Sequence, residues 1–313
     1  MKVIGGYLNL DLSESNYSND SRNLLLSTGR ACLNLILQKE KPKKLYVPYY
    51  ICDSLLEPIL LNKIQFEYYS LNDNLEPKNL NYFEDGYILY INYFGIKNKT
   101  VKYLINKYKA NLIVDNSQAF YEKGYKNIWS YNSARKFFGV SDGAFLFSPI
   151  EIKNDFKRND EVRFDHLIND YAKSTYEKFL FNESLLGPEI RKVSKLSEFI
   201  LKNLDYNEFA KKRLKNFQFL DEELKYLNKF NPSKNKSEIP MCYPLLIDKK
   251  INKKKFHAKK LFVPTFWDRK IKTIKNKFLF EKELTEKLIP LPIDQRYSLK
   301  EMKKIVKIVK ELI

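Results

Sequence analysis

Two short segments of the chain carry residues whose types and spacing could do chemistry. In Tyr131-Asn132-Ser133-Ala134-Arg135-Lys136-Phe137-Phe138-Gly139-Val140-Ser141-Asp142-Gly143-Ala144 a lysine follows a serine by three positions and precedes a glycine-containing turn. Just upstream, Val114-Asp115-Asn116-Ser117-Gln118-Ala119 places a carboxylate at the end of an apolar run. A lysine amine can hold an aldehyde as a Schiff base, and a carboxylate can keep a pyridinium nitrogen protonated. Hydroxyls and backbone N–H groups beside glycine can surround a phosphate. Together these features point to a pyridoxal phosphate (PLP) site.

The elements that must position these residues alternate. Lys44-Leu45-Tyr46-Val47-Pro48 reads as a short strand, Asp53 to Leu60 as a helix, and Gln65-Phe66-Glu67-Tyr68-Tyr69 as a second strand. Gly86-Tyr87-Ile88-Leu89-Tyr90-Ile91-Asn92 is almost uniformly apolar, the pattern of a strand covered on both faces. Helical spacing over residues 100–108 leads to the strand Asn111-Leu112-Ile113-Val114-Asp115. Strand, helix, strand, helix predicts a parallel sheet with right-handed crossovers, whose ligands bind at the carboxyl ends of the strands. Asp115 falls at such an end.

Residues 155–227 are charged and helical, with residues 191–204 and 207–227 as the clearest amphipathic stretches. Asn231-Pro232-Ser233-Lys234-Asn235-Lys236-Ser237 reads as a linker. Beyond it come a strand at residues 241–247, a lysine-rich helix, the apolar run Leu261-Phe262-Val263-Pro264 and a final amphipathic helix at residues 298–313. The expected organisation is a large cofactor-binding domain at residues 1–205 and a small α/β domain at residues 206–313.

Composition bounds the partners. The 313 residues are 44% hydrophobic and 15% aromatic, as in a folded globular protein. A net charge of +18 raises the question of nucleic acid, but the cations are nine arginines against 47 lysines and are scattered through every segment. That is the pattern of a solvated surface, not of a concentrated phosphate-binding face. The densest run, Lys249-Lys250-Ile251-Asn252-Lys253-Lys254-Lys255, could attract an anionic substrate or membrane surface. No apolar stretch is long enough for membrane insertion, and the opening residues do not form a signal peptide. Cys32, Cys52 and Cys242 are unclustered, so neither a disulfide framework nor a metal site is expected, and a cytoplasmic setting is the default.

The residues resemble the DegT/StrS-type sugar aminotransferases, PLP enzymes of fold type I, over nearly the whole chain. Ser27-Thr28-Gly29-Arg30-Ala31 is like that family's Ser-Gly-Thr-Ala-Ala turn, and Val47-Pro48-Tyr49-Tyr50-Ile51-Cys52 is like its Pro-x-x-Thr segment. Asn92-Tyr93-Phe94-Gly95 is like His-Leu-Tyr-Gly, Asp115 to Ala119 like Asp-Ala-Ala-Gln-Ala, and Lys136 with Asp142-Gly143-Ala144 like Lys…Glu-Gly-Gly. Leu288-Ile289-Pro290-Leu291-Pro292-Ile293-Asp294-Gln295-Arg296-Tyr297 is like the closing Leu-Pro-Leu-Pro segment. Each motif is weak alone; their order and spacing make the set specific, in a chain shorter than a typical member.

The resemblance implies an aspartate-aminotransferase-like α/β fold with a central, mostly parallel sheet. It implies Lys136 as Schiff-base residue and proton carrier, Asp115 as partner of the pyridinium nitrogen, and Gln118 beside the ring hydroxyl. Thr28, Gly29 and Arg30 would hold the phosphate with Ser133 or Ser130. The family's phosphate serine lies five residues before its lysine, and that position here is Tyr131. Tyr50 and Cys52 occupy the segment that usually stacks on the cofactor ring, and Trp267 and Arg296 are candidate substrate contacts. The bland alternatives are an N-cap for Asp115, a solvated helix face for Gln118 and small-domain packing for Trp267. The implied reaction moves an amino group from an amino acid, glutamate in the family, to a nucleotide-linked keto-sugar for surface polysaccharide. A homodimer is also implied, although the asparagine that the family borrows from its partner subunit is missing from Ile190-Arg191-Lys192-Val193-Ser194. The alternative is a PLP-fold protein that does not transaminate and binds anionic sugar or polymer.

Overall fold

The computed structural model describes residues 23–78, 80, 86–168, 173–230, 238–268 and 276–313; the stretch read as a linker, residues 231–237, lies outside them. Among the described residues one eight-stranded sheet dominates. Its strands are β1 (Asn23–Leu26), β2 (Lys44–Pro48), β3 (Gln65–Leu71), β4 (Pro77–Lys78), β5 (Gly86–Ile91), β6 (Leu112–Asn116), β7 (Trp129–Asn132) and β8 (Ala144–Phe147), in the order β1-β8-β7-β6-β5-β2-β3-β4. The sequence of β3, β2, β5, β6 and β7 is parallel throughout. β8 runs antiparallel to both β7 and β1, so β1 points the same way as the parallel set. The carboxyl ends of β1, β2, β5, β6 and β7 therefore share one edge of the sheet.

The helices α1 (Gly29–Glu40), α2 (Leu56–Leu61) and α3 (Asn98–Tyr108) cover this sheet, while α4 (Lys173–Ser184) and α5 (Lys195–Asn203) follow β8 in the chain. Their coverage explains the apolar strands, since Ile88, Leu89, Leu112, Ile113 and Val114 are all 0% exposed. α1 starts where Thr28, in extended conformation, accepts the N–H of Ala31 on its hydroxyl, an N-cap that fixes the helix directly behind β1.

A second apolar core is built by α6 (Tyr206–Leu224), β9 (Cys242–Leu246), α7 (Lys253–Ala258), β10 (Leu288–Pro292) and α9 (Leu299–Leu312). β9 pairs antiparallel with β10, with Pro244 opposite Pro290. A two-stranded ribbon tolerates this because both strands are edges and a missing N–H need not break a ladder. β10 takes the place beside β9; the run Leu261-Phe262-Val263-Pro264 is irregular and only inserts Leu261 and Val263 into this core. α8 (Leu279–Lys287) reaches back to the large sheet, where Glu281 Oε1 accepts the N–H of Leu71 at 2.6 Å. Among the described residues no helix is long and apolar enough to cross a membrane.

Candidate active site

Asp115 is the penultimate residue of β6 and is 2% exposed. Its Oδ1 accepts the N–H of Ser117 at 2.7 Å, a local turn that ends the strand and fixes the carboxylate at the sheet edge. β6 and β7 pair with Asp115 opposite Tyr131, and neighbours across parallel strands share a face, so both side chains lie under α1. Burial, and then the charge of Asp115, push the Tyr131 hydroxyl well above the ordinary tyrosine range. Cys32 of α1 lies within reach of the same charge, and its thiol is raised for the same two reasons. Gly29, the first residue of α1, closes this corner: a Cβ there would stand 3.4 Å from the Tyr131 ring and 3.5 Å from Ser117 Oγ.

Gln118 is buried one turn beyond Asp115, and its Oε1 accepts the N–H of Phe94 at 2.7 Å. This contact fixes the amide and leaves Nε2 as the donor. It depends on the turn after β5, where Phe94 and Gly95 both have positive φ, 58° and 72°. Asn92, fully buried beside them, donates to Asn98 Oδ1 and Asn116 Oδ1 and ties that turn to the end of β6.

Lys136 ends a single helical turn, Ala134–Lys136, that follows β7 on the same edge. Its neighbours are anchored inward: Ala134, Phe137 and Phe138 are buried in an aromatic cluster with Phe120 and Phe145. The lysine alone turns to solvent, with no hydrogen bond or ion pair to any described residue. The Ala134 N–H donates to Gly143 O, and the Gly143 N–H to Ser27 O at 2.7 Å, so the turn is stapled to the ends of β1 and β8. Gly143 has φ +126°, a conformation that favours glycine. Asp142 is 0% exposed and accepts from Ser194 N, Ser194 Oγ and Asn159 Nδ2. Its role is to anchor the chain behind the lysine.

The phosphate candidates separate. Thr28 uses its hydroxyl twice, accepting from Ala31 N and donating to Gly187 O at 2.9 Å. Arg30 pairs with Glu57 at 2.7 Å and donates to Leu186 O. Ser133 is half-buried on the edge and makes no side-chain cap to the turn it precedes. Ser130 is 0% exposed within β7, on the opposite face from Tyr131, and its hydroxyl has no partner among the described residues. Sequence reasoning missed Arg135, which pairs with Glu183 at the end of α4. Burial, and then the nearby charge of Arg30, hold this guanidinium below the ordinary arginine range. Two guanidiniums thus stand near the start of α1.

An aromatic wall flanks this corner. Tyr50 is 2% exposed, meets Trp267 edge-on at 4.4 Å and lies 6.0 Å from Tyr93, which donates to Tyr50 O. Trp267 therefore packs on the Tyr50 segment of the large sheet. Cys52 is half-buried with its Sγ 3.0 Å from Ser54 Oγ. Arg296 has a 73% exposed side chain held by both oxygens of Asp294. Ile190 to Ser194 runs beside β1, with Arg191 O accepting from Ser27 N and Leu25 O accepting from Val193 N.

Comparison with solved structures decides the architecture. Sugar aminotransferase CalS13 from Micromonospora echinospora superimposes with a TM-score of 0.68 at 13% identity, covering 93% of this chain and 87% of that one. The chain has the sugar-aminotransferase fold. The PLP form of Spr1654 from Streptococcus pneumoniae gives a TM-score of 0.66 at 12% identity over 93% of this chain and 88% of that one. A DegT DnrJ EryC1 StrS aminotransferase from Brucella abortus gives 0.62 at 12% over 92% and 85%. No family model and no curated protein sequence matches the chain.

Within this fold the edge residues fit PLP. Asp115 supplies a buried carboxylate, Gln118 a donor, Lys136 an amine, and the start of α1 backbone N–H groups beside Arg30 and Arg135, whose guanidiniums are paired with Glu57 and Glu183. The hydroxyls of Tyr50 and Tyr131 are buried at this edge without hydrogen-bond partners among the described residues. Such groups are costly to bury unmet, and a polar ligand at this edge would meet them.

Proposed function

We propose that this protein is a PLP-dependent aminotransferase that converts a nucleotide-linked keto-sugar to an amino sugar, with an amino acid, glutamate, as donor. The observation that carries this reading is that buried Asp115, fixed Gln118 and Lys136, which has no hydrogen-bond or ion-pair partner among the described residues, lie on one edge of a sheet whose fold is that of sugar aminotransferases.

When bound, PLP supplies an electron sink for the carbanion formed at the donor's Cα. Asp115 would keep the ring nitrogen protonated, and Gln118 Nε2 would donate to the ring hydroxyl. The N–H groups that open α1 would carry the phosphate, with Arg30 and Arg135 beside them. Lys136 is the amine that would hold the aldehyde, and as a free amine it would be the base that moves the proton at the donor's Cα. The +18 surface favours encounter with a pyrophosphate-bearing substrate. A homodimer in the cytoplasm, serving surface-polysaccharide synthesis, completes the reading.

One observation favours a second reading. Tyr131 stands at the family's phosphate-serine position with its ring against Gly29. A protein that keeps the fold and binds anionic sugar polymer without transamination would tolerate that replacement.

An absorption spectrum with added PLP, before and after glutamate, compared between wild type and Lys136→Ala, separates the two. The aminotransferase gives a cofactor absorption band that depends on Lys136 and shifts on glutamate addition. Identical spectra for the two proteins would remove Lys136 as the anchor and leave the binding protein, whose polymer affinity would survive Lys136→Ala and collapse with salt.

A further inference from the structure

The residue after Lys136 is gripped from the second core. The Phe137 carbonyl accepts Gln295 Nε2 at 2.7 Å and Arg213 Nη2 at 3.2 Å. Arg213 Nε in turn donates to Gln295 Oε1 at 3.0 Å, and Nη1 to Met241 O at 3.2 Å and Pro240 O at 3.5 Å. The guanidinium also lies 4.6 Å above the Phe137 ring.

Arg213 is 1% exposed, and among the described residues it makes no ion pair. Burying a guanidinium without a carboxylate is expensive, and carbonyl oxygens return only part of the lost hydration. A lysine in its place could not span Gln295, Phe137 and Met241 at once, because only the planar fork presents donors in several fixed directions. Arg213 belongs to α6, and Gln295 follows β10. Each reaches the turn after β7, 76 and 158 positions away in sequence, across the gap between the two cores.

We propose that Arg213 and Gln295 form a clamp that positions Lys136, fixing the end of its turn through the Phe137 carbonyl so that the amine stays at the carboxyl edge. Lys136 makes no hydrogen bond or ion pair with a described residue, so its location depends on the backbone on either side. The upstream side is stapled by Ala134 N to Gly143 O, and the downstream side by this clamp. Arg213 and Gln295 are positioning residues, and the inference rests on the assignment of Lys136 above.

The test reads which lysine reacts. The full-length protein is incubated with PLP, reduced with borohydride, digested, and the label on Lys136 is compared with that on the other 46 lysines. In wild type Lys136 carries most of the label. Gln295→Met removes the shorter bond to Phe137 from a half-buried position and is expected to lower the Lys136 share at least fivefold while the fold persists by circular dichroism. Gln295→Glu keeps an acceptor for Arg213, loses the donor to Phe137, and is expected to lose the same selectivity, which keeps the test valid should the methionine variant not fold. A folded Gln295 variant that labels Lys136 as wild type does would overturn the clamp alone. A wild type that labels Lys136 no more than surface lysines would overturn the cofactor assignment, and the clamp with it.

Discussion

A Cβ added to Gly95 would stand 2.5 Å from the carbonyl oxygen of Gln118 and 3.1 Å from that of Ile239. Both oxygens are backbone, so neither can swing away, and Gly95 also has φ +72°. Gly95→Ala must therefore move the turn that supplies Phe94 N–H to Gln118. The expected loss of stability is about 2–4 kcal/mol, the sum of left-handed strain and a backbone clash. PLP affinity should fall with it, because Gln118 loses the contact that orients it. Urea unfolding and PLP titration check this; an unchanged midpoint would show that the turn is more plastic than its packing implies.

Tyr131 permits a test with two signs. Its hydroxyl is buried with the Asp115 carboxylate as the one acceptor near it and no partner within ordinary hydrogen-bond distance among the described residues, and a buried polar group left unmet costs about 1–3 kcal/mol. Tyr131→Phe is expected to stabilise the protein without cofactor by about 1 kcal/mol. If the hydroxyl serves the bound phosphate, the same variant binds PLP roughly tenfold more weakly, since bonds to charged groups are worth about 1.5–3 kcal/mol. Higher stability with undiminished PLP affinity would move the phosphate away from Tyr131.

The sequence made the parallel part of the fold legible because β2, β5 and β6 are largely apolar runs bounded by turn residues, and two-sided burial demands that composition. Asp115 and Lys136 stood out because their neighbours constrain them locally: a strand end in one case, a turn with Gly143 in the other. β10 was legible as a motif but not as a strand, since Pro290 and Pro292 remove N–H groups and only pairing with β9 shows that they are tolerated. Arg213 and Gln295 were invisible for another reason. Their partner carbonyl lies on a different core, and no local pattern encodes a bond 158 positions long. The one available signal was scarcity: in a chain with nine arginines and 47 lysines, an arginine on an amphipathic helix marks a place where a planar fork is needed.

Asp142 shows what the Asp-Gly-Ala segment does for the lysine. Three donors, from Ser194 N, Ser194 Oγ and Asn159 Nδ2, converge on its carboxylate. Asp142→Ala leaves all three unmet in a buried site and is expected to cost roughly 3–5 kcal/mol. Asp142→Asn keeps one acceptor oxygen, and the Ser194 hydroxyl can reverse to accept, so about 1 kcal/mol is expected. Thermal unfolding of both variants checks the ranking. Equal losses would mean that the charge matters here, not the number of acceptors.

Lys253 gives a pH signature outside the site. Its Nζ donates to Pro264 O at 2.8 Å, and burial lowers its pKa to about 8 against an opposing pull from Asp268. Between pH 8 and the ordinary lysine value near 10.5 the unfolded chain holds a proton that the folded chain has released. Stability from this group therefore rises with pH across that window, and below pH 8 the protonated amine is a net cost to the fold. Lys253→Met removes the titration. Its stability relative to wild type should be most favourable at pH 7 and should decline steadily as pH rises to 10, when the wild-type amine is neutral in the folded state. Urea midpoints of the two proteins at pH 7, 8.5 and 10 give the difference directly. A difference that stays constant over this range would mean that the folded amine titrates where a solvated lysine does, and that its side chain is hydrated in solution.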